Sequence, residues 1–233
     1  MSGSSAYLLV VTPHHGDPEL GIAGLVARHT REGKRVVYII CTNGDKGTSI
    51  TTFKSQELAV MREMEQRNAA RVLNVSETIF LRHPDLGLEG TQGFGREILG
   101  LILKYKPEIV ATCDPTQRYL SNPDHRVTGR TVMDAVWPYA MAQNAYPELR
   151  ENGECHRVKE ILLWQAAEPN YFCNISDAFD TKLAAFSCHK TQAGDPILPE
   201  FARRFREDAR MAAKGHDYEF GENFHRIEVP TIL

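Results

Sequence analysis

The sequence predicts an α/β fold, a Rossmann-like, mostly parallel sheet with helices on both faces, and three observations carry that prediction. Short runs rich in Val, Ile, Leu and Tyr alternate with longer stretches of helical period from Tyr7 to Cys113. The strand-like runs are apolar at consecutive positions, as strands buried on both faces are. Polar clusters follow the first, second and fourth of them directly. Alternation of this kind needs crossover connections, which are nearly always right-handed and leave neighbouring strands parallel.

The elements follow in order. "AYLLVV" reads as a buried strand and "ELGIAGLVARHTREG" as a helix, with Leu20, Ile22, Leu25 and Val26 on its apolar stripe and Gly33 at its end. "RVVYIICT" is a second strand, and the loop "NGDKGTS" leads into a charged helix from Ser55, the expected N-cap, to about Val75. "ETIFL" is a short strand, "GREILGLILKYKP" a helix stopped by Pro107, and "EIVATC" the fourth strand. Beyond it the pattern loosens. Helices are expected over "HRVTGRTVMDAVWPYAM", "FDTKLAAFSCHKTQ" and "PEFARRFREDARMAAKGH", with "EILLW" as a strand. At 233 residues, without repeats or a linker-like segment, the chain is expected to be one domain over 1–233.

Composition narrows the function classes. The 27 Lys and Arg and 30 Asp and Glu give a net charge of -3, spread along the chain. No basic stripe calls for nucleic acid, so a small polar metabolite is the expected partner. Five cysteines without CxxC spacing suit reduced thiols. The start "MSGSSAY" lacks a basic region followed by an apolar one, and no apolar run approaches the roughly 18 residues of a membrane span. A cytoplasmic protein without membrane contact is expected.

In parallel sheets ligands sit beyond the carboxyl ends of the strands, where the strand order reverses. The loops "PHHGDPE", "TNGDKG" and "DPTQRYLSNPDHR" should therefore open on one edge. His14 and Asp17 stand three apart in the first, and His125 lies in the last. Two imidazoles, a carboxylate and an open position suit a catalytic zinc. A lone loop His is more often solvated or capping; it is the second cluster at a matching strand end that makes this set.

The ordered stretches "PHHGDPELGIAG", "REGKRVVYIICTNGDKGTS", "MREMEQRNAARVLNV", "NPDHRVTG" and "CHKTQ" resemble the LmbE/PIG-L-type zinc N-deacetylase family, from about residue 7 to about residue 194. The resemblance implies the same Rossmann-like fold, one Zn2+ per chain held by His14, Asp17 and His125, and a homo-oligomer. It also exposes departures. The family's motif His-Pro-Asp-Asp-x-Glu reads here with His15 for the Pro and Gly16 for the first Asp, the family's general base. Asn122 stands where many members carry a His; it can donate a hydrogen bond to an oxyanion but carries no proton.

Three readings follow: His15, Asp45 or Asp124 serves as base in a hydrolase of an N-acyl bond; the chemistry is that of a hydratase acting on an unsaturated carboxylic acid; or the chain binds metal with little activity. Gly16 also has a plain reading as a residue at positive φ in a tight turn. Arg62 and Glu65 match the family's R-x-x-E, which implies substrate contact for Arg62; the plain alternative is a solvated charge pair. Asp124 reads as an orienting carboxylate for a metal-bound imidazole or as a helix N-cap. His189, Lys190 and Gln192 in "CHKTQ" resemble a C-terminal family segment, which implies that they pack near the pocket. "TNGDKGTS" lacks P-loop spacing, and no G-x-G-x-x-G follows the first strand.

Overall fold

Consecutive apolar residues make Leu8–Thr12 (β1) and Val36–Thr42 (β2) strands with every side chain buried. Glu77–His83 (β3), Ile109–Cys113 (β4) and Glu160–Trp164 (β5) continue the sheet, joined by Tyr171–Asn174 (β6) and Gly221–Glu228 (β7). This computed structural model describes residues 5–47, 54–91, 93–117, 119, 122–150 and 153–232. Strand order is β3-β2-β1-β4-β5-β7-β6. The first five pair in parallel, and β7 lies antiparallel between β5 and β6. The order reverses between β1 and β4, so the loops leaving these two strands diverge and open a crevice between them.

Alternate strand residues feed two cores. Leu8, Val10, Tyr38 and Ile40 pack on one face with apolar residues of Ala23–Arg31 (α2), Phe179–Phe186 (α6) and Pro199–Ala212 (α8). Leu9, Val11, Val37, Ile39 and Cys41 pack on the other with Phe94–Tyr105 (α4) and Pro123–Asp134 (α5). The α/β, mostly parallel architecture with helices on both faces is thus the observed one. Among the described residues no helix is long and apolar enough to cross a membrane.

Several expected helices are shorter than their periodicity. The first is two, Asp17–Gly21 (α1) and α2, broken at Ile22 with φ -143°. Glycines let this bend press on the sheet: a Cβ on Gly21 would lie 2.5 Å from Trp164 and one on Gly24 2.7 Å from Ile175. Ser55 is not the N-cap of Ser55–Val72 (α3) but its first residue; Lys54 caps it, its backbone N–H donating to Glu57 at 3.5 Å. Helix α5 was expected to reach Met141, yet Trp137 is extended, φ -144° and ψ 123°, as the residue before a proline must be. The expected helix over 179–192 divides into α6 and Lys190–Ala193 (α7). The short strand β6 and the late strand β7 went unread, because "YFCN" is only four residues long and "GENFHRIE" is mostly polar, so neither shows a consecutive apolar run. Thr48, Ser49, Arg118, Leu120 and Ser121, within the polar loops, lie outside the described residues.

Strand β7 ties the late chain to the first helices. The buried Glu222 carboxylate accepts from the backbone N–H groups of Gly24 and Leu25 at 2.9 Å each and pairs with Lys182 at 2.6 Å. Removing one partner of a buried ion pair strands the other charge. Glu222→Ala is expected to cost about 3–5 kcal/mol in urea unfolding, and the apolar pair Lys182→Met/Glu222→Leu to recover only part of that loss, because it leaves the Gly24 and Leu25 N–H groups without their acceptor.

Candidate metal centre

Strand β1 ends at Thr12 and the chain turns at once into α1, so the turn residues stand at the crevice. The Pro13 carbonyl accepts from both Thr42 backbone N–H and Thr42 Oγ1 at 2.9 Å, pinning this turn to the end of β2. Asp17 Oδ2 accepts from the His14 backbone N–H at 3.1 Å and from Thr12 Oγ1 at 3.4 Å. The carboxylate is therefore held by its own turn. From the far side of the crevice, α5 brings His125 Nε2 to 3.2 Å from the same Asp17 Oδ2. His14 Nδ1 also lies 3.2 Å from it.

Those separations test the ligand set. Donors about 2.0 Å from a tetrahedral ion stand about 3.3 Å apart, and His14 Nδ1, Asp17 Oδ2 and His125 Nε2 are already spaced so around an edge shared at Oδ2. All three lie within 4.8 Å of one another. Asp17 and His125 are partly exposed, which leaves a side open to water. The donor chemistry and the spacing both fit zinc.

A second trio shares His14 through its other nitrogen. His14 Nε2 lies 3.2 Å from Asp85 Oδ1 and 3.4 Å from Asp124 Oδ2, all three residues buried. These carboxylates are occupied: Asp124 accepts from Leu86 and Leu88 backbone N–H groups at 2.7 and 3.2 Å, and Asp85 from that of Lys46 at 3.1 Å. Two carboxylates this close to Nε2 favour a proton there, which would leave Nδ1 for a metal. Asp85 went unread in the sequence, although "LRHPDLG" puts it just past β3, where the rule that selected the other loops applies equally.

The surroundings set opposite charge states on neighbouring imidazoles. Burial alone lowers the pKa of His14, but Asp124, Asp17 and Asp85 outweigh it and raise the value to about 11. His125 is likewise opposed by burial and raised to about 10, chiefly by Asp17. Burial opposes ionisation of Asp17, and the two imidazoles overcome it and push its pKa down. His15 is fully buried, stacked on Phe80 at 5.6 Å, and neither ring nitrogen has a hydrogen-bond partner among the described residues. Burial, then the charges of Arg62, His189 and His14, lowers its pKa to about 3. An imidazole that acidic and closed to solvent is a poor proton acceptor at neutral pH, which counts against His15 as the base.

The other expected residues divide. Arg62 is buried, not solvated, donates to the Gly47 carbonyl and has no carboxylate within ion-pair distance among the described residues. Gly44 and Gly47 make room for it, since a Cβ on either would lie 3.2 Å from its Nη1. Asp45 follows Gly44, and its Oδ1 is buried without a hydrogen-bond partner among the described residues. Asn122, not Asp124, is the N-cap of α5, its Oδ1 accepting from the Asp124 N–H at 2.8 Å. His189 Nε2 meets Glu19 at 3.0 Å, and Glu65 accepts from Thr191 N and Oγ1 at 2.9 and 2.7 Å. The C-terminal segment thus packs directly behind the first loop.

Residues 9–136 match the family model described as PIG-L: GlcNAc-PI de-N-acetylase. The chain belongs to this family. It is 30% identical over 228 residues to the diacetylchitobiose deacetylase of Thermococcus kodakarensis, covering 97% of this chain and 84% of that protein. The solved N,N'-diacetylchitobiose deacetylase of Pyrococcus horikoshii superposes with a TM-score of 0.88 at 27% identity, over 95% of this chain and 83% of that one. The 4-carboxy-2-hydroxymuconate hydratase of Pseudomonas putida KT2440 superposes with a TM-score of 0.79 over 99% of this chain and 98% of that one; at 18% identity it shares the fold. The PIG-L relatives are deacetylases, which makes a hydrolase of deacetylase type the class this chain belongs with.

Two outcomes follow from this geometry. With pKa values of about 11 and about 10, His14 and His125 are both protonated at pH 7 in the metal-free protein, so binding an ion through Nδ1 and Nε2 must displace protons and affinity must rise with pH. Calorimetry in buffers of different ionisation enthalpy is expected to show about two protons released per zinc; no release would refute these ligands. Asp85→Ala, which removes a partner of Nε2 and no ligand, is expected to weaken zinc binding roughly 10- to 100-fold in chelator competition.

Proposed function

We propose that the chain is a single domain over 1–233 that binds one Zn2+ through His14, Asp17 and His125 and hydrolyses an N-acetyl group on a small amino-sugar derivative. The observation that carries this reading is the pair of 3.2 Å approaches to Asp17 Oδ2 at the strand-order reversal. The names of its relatives support the substrate class. When bound, the ion supplies polarisation of the acyl carbonyl and lowers the pKa of water to about 7.

The chain's own residues do the rest. Asp85 and Asp124 orient His14, and Asn122, fixed by its capping bond three residues before His125, is the group we assign to donate toward the acyl oxygen. Arg62 offers a buried cation to the polar end of the substrate. With His15 held neutral and closed, Asp45 is the residue we assign to proton transfer. A cytoplasmic homo-oligomer is the form in which we expect it to work.

A second reading draws on Arg62 alone: a buried guanidinium without a carboxylate partner among the described residues suits the carboxylate of an unsaturated acid, the substrate class of a hydratase. The test is acetate release from N-acetylglucosamine and N,N'-diacetylchitobiose by the zinc-loaded chain. Turnover is expected, and Asp45→Asn should lower kcat roughly 100-fold. Intact zinc with no acetate release, and hydration of an unsaturated dicarboxylate instead, would replace the first reading with the second.

A further inference from the structure

Gly16 holds the metal loop at φ +85°, and its N–H donates to Gln66 Oε1 at 3.0 Å, so its peptide is anchored. A Cβ on Gly16 would lie 2.7 Å from Gln192 Oε1, 3.4 Å from its Cδ and 3.5 Å from its Nε2. The Gln192 carboxamide therefore fills the space in which a side chain at residue 16 would begin. Its Oε1 is buried and has no hydrogen-bond partner among the described residues.

Gln192 is held there from behind. On one side of it, Thr191 is bonded twice to Glu65. Earlier in the same segment His189 meets Glu19, whose carboxylate accepts from Gln66 Nε2 at 3.0 and 3.2 Å. Gln66 is the residue that anchors the Gly16 peptide, so one buried network sets both sides of the contact. A buried amide oxygen left without a donor is unfavourable, and its setting calls for one.

We propose that Gln192 stands in for the missing side chain at residue 16, presenting Oε1 at the turn between His14 and Asp17 as the acceptor that orients a water molecule or the N–H of an acylated amine. An amide oxygen accepts a hydrogen bond but takes no proton, so Gln192 orients and does not act as base. Only the identity of the donor rests on the deacetylase reading.

The test uses the full chain. In a thermal-unfolding cycle, Gly16→Ala is expected to lower Tm by about 3 °C more in the wild type than in Gln192→Ala; equal losses would overturn the contact. By chelator competition, Gln192→Glu, which sets a carboxylate beside a dication, is expected to bind zinc about tenfold tighter than Gln192→Leu; equal affinities would overturn the placement. With N-acetylglucosamine, Gln192→Leu is expected to raise KM about tenfold with little change in kcat, the mark of lost orientation of bound substrate; an unchanged KM would overturn the acceptor role. A wild type without deacetylase turnover would remove the deacetylase assignment while the unfolding cycle and zinc arms still decide Gln192, and a chain that bound no zinc would leave that decision to the cycle.

Discussion

Asp17 Oδ2 receives a backbone N–H, a threonine hydroxyl and two imidazoles, the imidazole nitrogens both at 3.2 Å. That one oxygen joins the two sides of the crevice, and it does so because β1 and β4 are hydrogen-bonded neighbours whose following loops leave in opposite directions. Without the strand-order reversal His125 would belong to a different surface. With it, His125 comes from more than a hundred residues away to the oxygen that His14 Nδ1 also approaches, at the 3.2 Å separation expected between ligands of one tetrahedral ion.

Around this centre, burial and charge act in opposite senses on adjacent residues. His14 faces three carboxylates, which raise its pKa; His15 is buried against the Phe80 ring and near the charge of Arg62, which lower its own. The same side-chain type thus meets carboxylates in one position and an aromatic ring in the next, because a turn sends successive side chains to different environments. The charge on His14 in the metal-free protein is a measure of how strongly Asp17, Asp85 and Asp124 favour a cation at this place.

The PIG-L relationship gives the departures their meaning. The ligand positions are occupied by ligand-forming residues, while the position of the family's general base is a glycine whose side-chain space is taken up from the other end of the domain. The buried path through Gln66, Glu19 and His189 makes that exchange sterically coherent, since it fixes the glycine peptide and the glutamine segment to each other.

The sequence by itself determined the parallel strands, their order of appearance and the residue types at their ends, because consecutive apolar residues and helix-period stretches are local signals. It placed His14, Asp17 and His125 on loops of one edge. It did not reveal Asp85, whose "HPD" resembles any turn after a short strand, nor the edge strand β6 and its inner neighbour β7, which show no consecutive apolar run. It offered His15 as a base from its residue type, whereas its pKa is a property of burial against Phe80 and proximity to Arg62. The contact between Gly16 and Gln192 lay wholly with the tertiary structure: two residues 176 positions apart in the chain meet only once the sheet has closed and α7 has packed behind α1, and no local pattern records that distance.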